Sequence, residues 1–318
     1  MRLLPADTSP RAMLHMIPEP LRPPFATVLR HIQHGTFQRT LSLMVAGSSA
    51  VSAMEVGYEH YRGSYSNPVM YTPVLLSSAL TLASCASVFS RQIARTWMRY
   101  LSFLTLVDGV IGFGFHIRGV ARKPGGWRMP VVNIVMGPPL FAPLLFGTAA
   151  YLGVIASYLQ REEDEGVGQI TTDVFSRRYK QDWREDIRTG RFQKHFCVVC
   201  AIGTLCCGGE SWCSHYKDNF KYGVQWSPVL LTPILAGSAL AAVKSERGAN
   251  TLLPLASAAA IVNGIVGTGY HIRGILRRSG GIKKPLYNTL YGPPIFAPML
   301  FAAAGLLGMM AYLMRRER

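Results

Sequence analysis

Four histidines, two glutamates and two arginines are the residues here best suited to chemistry, and they come in pairs. Glu55, His60, His116 and Arg118 recur as Glu210, His215, His271 and Arg273, each pair 155 residues apart. Both carboxylates fall inside apolar segments. A charged group there is costly, which makes it a functional candidate by default.

Two chemistries fit this set. The first is haem b, held by His60 with His116 and by His215 with His271. Bis-imidazole ligation asks for two histidines on different segments at one depth. Gly112 and Gly267 each sit one helical turn before a histidine, on its face of the helix. Their missing side chains would leave room for a porphyrin. Arg118 and Arg273 would pair with its propionates. Ligand identity, burial and nearby hydrogen bonds would then set its potential.

The second is a non-haem transition metal. Glu55, His60 and His116, or Glu210, His215 and His271, supply the ligand count of a two-histidine, one-carboxylate triad. Five residues separate Glu55 from His60, about 140° around a helix, so one helical face cannot present both. The helix would have to end between them, at Gly57. A plainer alternative stands beside both chemistries. Histidines at helix ends also bond carbonyls, and buried glutamates also bond neighbouring helices.

Positioning these residues falls to apolar segments. The chain has 318 residues, and only 16% are charged, against about 25% in an ordinary soluble domain. Eight segments approach the length of a membrane span: 40–58, 71–90, 98–116, 137–158, 195–213, 227–243, 252–270 and 292–314. They are rich in Gly, Ala, Ser and Pro, which suits helices packed closely in lipid.

The 155-residue offset holds without a gap over 35–163 against 190–318. Pro73-Val74-Leu75-Leu76 falls on Pro228-Val229-Leu230-Leu231, and Phe141-Ala142-Pro143 on Phe296-Ala297-Pro298. Asn133 matches Asn288, whereas Asp108 meets Asn263. The expected fold is an all-α integral membrane protein with eight transmembrane helices, arranged as two tandem parallel four-helix repeats about a pseudo-two-fold axis. A Pro-rich basic tail (1–34) precedes the first repeat (35–159). A charged soluble linker (160–189) leads to the second (190–318).

The net charge of +16 does not point to nucleic acid. The basic residues sit in short loops and tails, and no zinc-finger or RNA-binding signature accompanies them. Most lie on the side of the termini, which places the termini in the cytoplasm of a plasma or inner membrane. No cleavable signal is expected, because residues 1–33 lack a continuous apolar core.

Cys197, Cys200, Cys206, Cys207 and Cys213 crowd one segment. Their counterparts are Ser42, Val45, Val51, Ser52 and Tyr58, so most of the cysteines read as small buried side chains. The GPPxFAP stretches (137–143 and 292–298) read as helix starts. Gly125-Gly126 and Gly280-Gly281 read as turns.

The expected role is a membrane redox subunit passing electrons between quinone and an extracytoplasmic enzyme docked on the basic loops. A small-solute or ion transporter is the alternative from another class. A cofactor-free membrane anchor for a partner enzyme is the third.

Overall fold

Proline placement sets most helix starts in this protein. The computed structural model describes residues 17–164 and 191–314, with Pro10, Leu14 and His15 before them; every regular element among these is helical. Among the described residues from 17 on, twelve α-helices organise it. They are α1 Arg22–His34, α2 Gln38–Arg62, α3 Thr72–Phe89, α4 Arg91–Arg95, α5 Trp97–Ala121, α6 Pro130–Val135 and α7 Ala142–Tyr158, then α8 Arg191–Lys217, α9 Trp226–Lys244, α10 Leu253–Leu276, α11 Pro285–Leu290 and α12 Ala297–Leu313. Prolines stand in the first turn of α1, α3, α6, α7, α10, α11 and α12. A helix has no use for the missing N–H at that position.

In the first half, α2 packs on α3 and α7, and α5 packs on the same two. So α2 and α5 stand diagonally across a ring of four. In the second half, α8 and α10 stand diagonally in a ring closed by α9 and α12. The halves meet where α8 packs on α6 and α7.

The interior is unusually small and polar: Ser42, Ser84, Ser87, Ser102 and Ser257 are fully buried. The outside is apolar, with Leu75, Leu82, Phe103, Val110, Leu230, Val262 and Ile265 all exposed. Such a surface suits lipid rather than water. Close helix approach explains the small residues. A Cβ on Gly264 would lie 2.5 Å from the Ala302 methyl, and one on Gly109 would lie 2.8 Å from the Pro143 carbonyl oxygen.

Among the described residues, six helical stretches are long and apolar enough to cross a membrane: Pro68–Phe89, Arg91–Ala121, Ala142–Asp164, Arg191–Lys217, Gly223–Lys244 and Gly248–Leu276. Two of the eight expected spans fall outside this set. The helix α2 is long enough, but Glu55 and the serines and glycines of its 40–57 stretch make it too polar. The apolar α12 has 17 residues, a rise of about 26 Å against a hydrocarbon core of about 30 Å.

Two expectations need correction. The spans expected from 137 and 292 begin later, at Ala142 and Ala297. Proline restrains the residue before it from helical geometry, so the Gly-Pro-Pro stretches stay outside the helices. The Pro-rich stretch before Phe25 folds into a 3-10 turn (Glu19–Leu21) and the start of α1. Pro23 and Pro24 fit the first turn of α1, and Leu29 and Ile32 are buried. Of the charged stretch 160–189, residues 165–189 lie outside the described residues. Glu162 folds back to cap α2, accepting the N–H groups of Arg39 (3.1 Å) and Thr40 (2.9 Å).

Candidate functional site: paired histidines at one end of the helices

All four candidate histidines sit near the C-terminal ends of diagonal helices, so they reach one common end of the molecule. His60 closes α2, and His116 lies in the final turns of α5. Correspondingly, His215 lies near the end of α8 and His271 near that of α10. The imidazoles of His60 and His116 are close enough to interact electrostatically, as are those of His215 and His271. All four are half-buried.

Backbone carbonyls orient three of the rings. His60 Nδ1 lies 2.6 Å from Met70 O, His116 Nδ1 lies 2.5 Å from Pro139 O, and His271 Nδ1 lies 2.5 Å from Pro294 O. A carbonyl can only accept, so Nδ1 carries the proton and donates it. That leaves Nε2 with its lone pair. A ligating histidine is commonly prepared this way, its second ring N–H tied to a carbonyl. His215 instead stands against the Phe220 ring, with centroids 6.2 Å apart.

Sequence reasoning missed the turns that follow His60 and His215. Ser64, Tyr65, Asn219 and Phe220 all adopt positive φ, which is unfavourable for residues with side chains. Aromatic stacking holds the turns in place. Tyr65 stacks on Tyr71 at 4.2 Å, and Phe220 on Trp226 at 3.9 Å. The signal was present as aromatic pairs at the same 155-residue offset.

The two glutamates turn away from the histidines of their own halves. Glu210 accepts the Phe141 N–H at 2.5 Å and lies near the Ala142 N–H. Glu55 lies beside the Phe296 N–H, near enough to interact with it. Phe141 and Phe296 are the N-cap residues of α7 and α12, and neither helix has a local side-chain cap. Glu210 therefore caps the last helix of the opposite half, and Glu55 stands at the matching helix start. The chemistry is plain: Pro143 and Pro298 offer no N–H, so the cap need serve only the few donors left. Among the described residues, no group of three or more His, Cys, Asp or Glu is arranged to hold a metal ion.

Gly112 and Gly267 do not clear space for a cofactor. A Cβ on them would lie 3.2 Å from Pro143 Cβ and 3.0 Å from Pro298 Cβ, so prolines of the capped helix starts occupy those faces. The glycines of the two HIRG motifs serve the same contact. A Cβ on Gly119 would meet Pro138 Cγ at 2.9 Å, and one on Gly274 would meet Pro293 Cγ at 3.1 Å. Arg118 and Arg273 are exposed beside them.

The remaining shared polar residues have local duties. Buried Asn133 donates to Pro124 O (3.0 Å) and Gly126 O (2.8 Å); buried Asn288 donates to Ser279 O (3.4 Å) and Gly281 O (3.0 Å). Both tie down the turns at Gly125-Gly126 and Gly280-Gly281, where all four glycines have positive φ. Asp108 pairs with Thr72 at 2.7 Å, and Asn263 donates to Ser227 at 2.6 Å, at matching positions. Cys197, Cys200, Cys206 and Cys207 are buried, and Cys213 is partly so. Cys200 Sγ donates to Ala304 O at 3.3 Å, as a small side chain in a helix contact.

No protein-family model matches the chain, and no curated protein or solved structure is significantly similar to it.

Proposed function

We propose that this chain is a membrane-embedded electron carrier of eight spans in two parallel repeats, each binding one haem b. His60 and His116 would hold the first haem, and His215 and His271 the second. The observation that supports this is the pairing of imidazoles on diagonal helices, three of them with Nδ1–H tied to a carbonyl and Nε2 left to coordinate. Haem bound there would supply one-electron redox chemistry. The chain's own residues would orient the ligands through Met70, Pro139 and Pro294. Arg118 and Arg273 would neutralise the propionates. Quinone would exchange electrons on one side of the transfer and an extracytoplasmic partner on the other, with the termini in the cytoplasm of a plasma or inner membrane.

A non-haem metal triad fits less well, because Glu55 and Glu210 would have to abandon Phe296 and Phe141. Transport has one observation in its favour. The Asp108–Thr72 and Asn263–Ser227 pairs lie deeper than His116 and His271, about 12 Å along the helix.

Oxidised and reduced absorption spectra of detergent-purified protein, with metal analysis of the same sample, test the proposal. A haem spectrum lost stepwise in His60→Ala, His116→Ala, His215→Ala and His271→Ala supports it. A folded protein with neither haem nor metal would overturn it in favour of transport or a cofactor-free anchor.

A further inference from the structure

Each candidate site is finished by a residue from the other half. Pro139, whose carbonyl accepts the His116 Nδ1–H, lies two residues before Phe141, whose N–H is held by Glu210. The same short path links Glu55, through Phe296 and Pro294, to His271. Between the ends of each path lie only Leu140 or Ile295. The opposite half also grips these segments elsewhere. The Phe141 ring would lie 3.0 Å from a Cβ on Gly209 of α8, and Tyr58 Oη donates to Gly292 O at 3.2 Å.

We infer that the glutamates are crossed positioning residues: Glu210 sets the His116 imidazole, and Glu55 sets that of His271. The inference gives a use to carboxylates that stand away from the histidines of their own halves. It also explains why GPPxFAP and HIRG recur together: one segment carries both the carbonyl that aims the histidine and the N–H that the far glutamate holds. Its consequence for function rests on the haem reading. A movement of one half would retune the ligand of the other, so the two centres would be coupled without contact.

Nitrogen-15 spectra of histidine-labelled protein in micelles test this without any cofactor, with resonances assigned by single His→Ala variants. Glu210→Ala should move the Nδ1–H resonance of His116 and leave that of His271 in place. Glu55→Ala should do the reverse. The milder Glu210→Gln keeps one acceptor oxygen and should give a smaller shift at His116 alone, which keeps the test decisive if the alanine variant folds poorly. Shifts on the same half, on both halves equally, or on neither would overturn the inference. If no haem is found, crossed shifts still establish the coupling. If haem is found and the shifts are not crossed, only the coupling falls.

The loops after His116 and His271 carry an independent feature. Arg122 and Arg128 in one, and Lys283 and Lys284 in the other, are exposed beside exposed apolar residues such as Trp127 and Ile282. The sequence has no acidic residue between Asp108 and Glu162, or between Glu246 and Glu317. Cations interleaved with aromatic and aliphatic groups at span ends match a headgroup layer, where the apolar parts sink and the charges stay at the phosphates. We propose that these loops bind anionic phospholipid headgroups. Melting should rise when phosphatidylglycerol joins phosphatidylcholine in nanodiscs, and the rise should vanish when the four basic residues are replaced by alanine. Equal melting in both lipids would overturn the assignment and leave the basic rim to a protein partner.

Discussion

Removing the Glu210 carboxylate should loosen the contact between the halves, and its cost can be worked from the structure. Glu210 holds the Phe141 N–H at the start of α7 and lies near that of Ala142. Glu210→Ala leaves the Phe141 N–H without a partner in a partly buried position. An orphaned donor costs about 1–3 kcal/mol, and loss of an N-cap alone costs about 0.5–2 kcal/mol. These terms overlap, so the expected loss is about 1–3 kcal/mol. Glu210→Gln keeps a carbonyl oxygen and should lose about half as much. Glu55→Ala, which removes the carboxylate beside the Phe296 N–H, should lose less, about 1 kcal/mol. Reversible unfolding in mixed micelles, followed by helical circular dichroism, measures all three. A Glu210→Ala protein within about 0.5 kcal/mol of the parent, or one more stable than Glu210→Gln, would refute the cross-capping.

Gly119→Ala forces a Cβ to within 2.9 Å of Pro138 and should cost about 1–3 kcal/mol. Gly114→Ala and Gly269→Ala meet open space and should stabilise by up to about 1 kcal/mol; thermal melts of the three decide. Asn133→Ala and Asn288→Ala free the carbonyls of the glycine turns, so limited proteolysis should cut the 122–129 and 277–284 loops faster. Glu162→Ala removes the cap on α2 and should cost about 1 kcal/mol. The exposed Arg91–Asp164 pair, 2.5 Å apart, should contribute no more than about 1 kcal/mol and weaken in high salt; Arg91→Ala melts at two salt concentrations check it.

The helical, membrane-embedded character of the chain was legible in the sequence, because a bilayer imposes length and hydropathy on any span. So was the place of His60, His116, His215 and His271 near the C-terminal ends of their helices, since each closes an apolar segment. The turns at Gly125-Gly126 and Gly280-Gly281 were legible too, through the freedom only glycine has at positive φ.

What each side chain touches was decided by tertiary structure. Glu55 and Glu210 look like ligands in sequence because each is a carboxylate in an apolar segment of a repeat that also has two histidines, but packing turns them to the opposite half. There the unpaired N–H groups of two proline-opened helices need an acceptor. Gly112 and Gly267 look like room for a ring, but prolines from another helix fill it. In both cases the partner lies dozens of residues away or more, beyond the reach of local spacing. Hydrogen-bond satisfaction and close packing act only once distant segments have met.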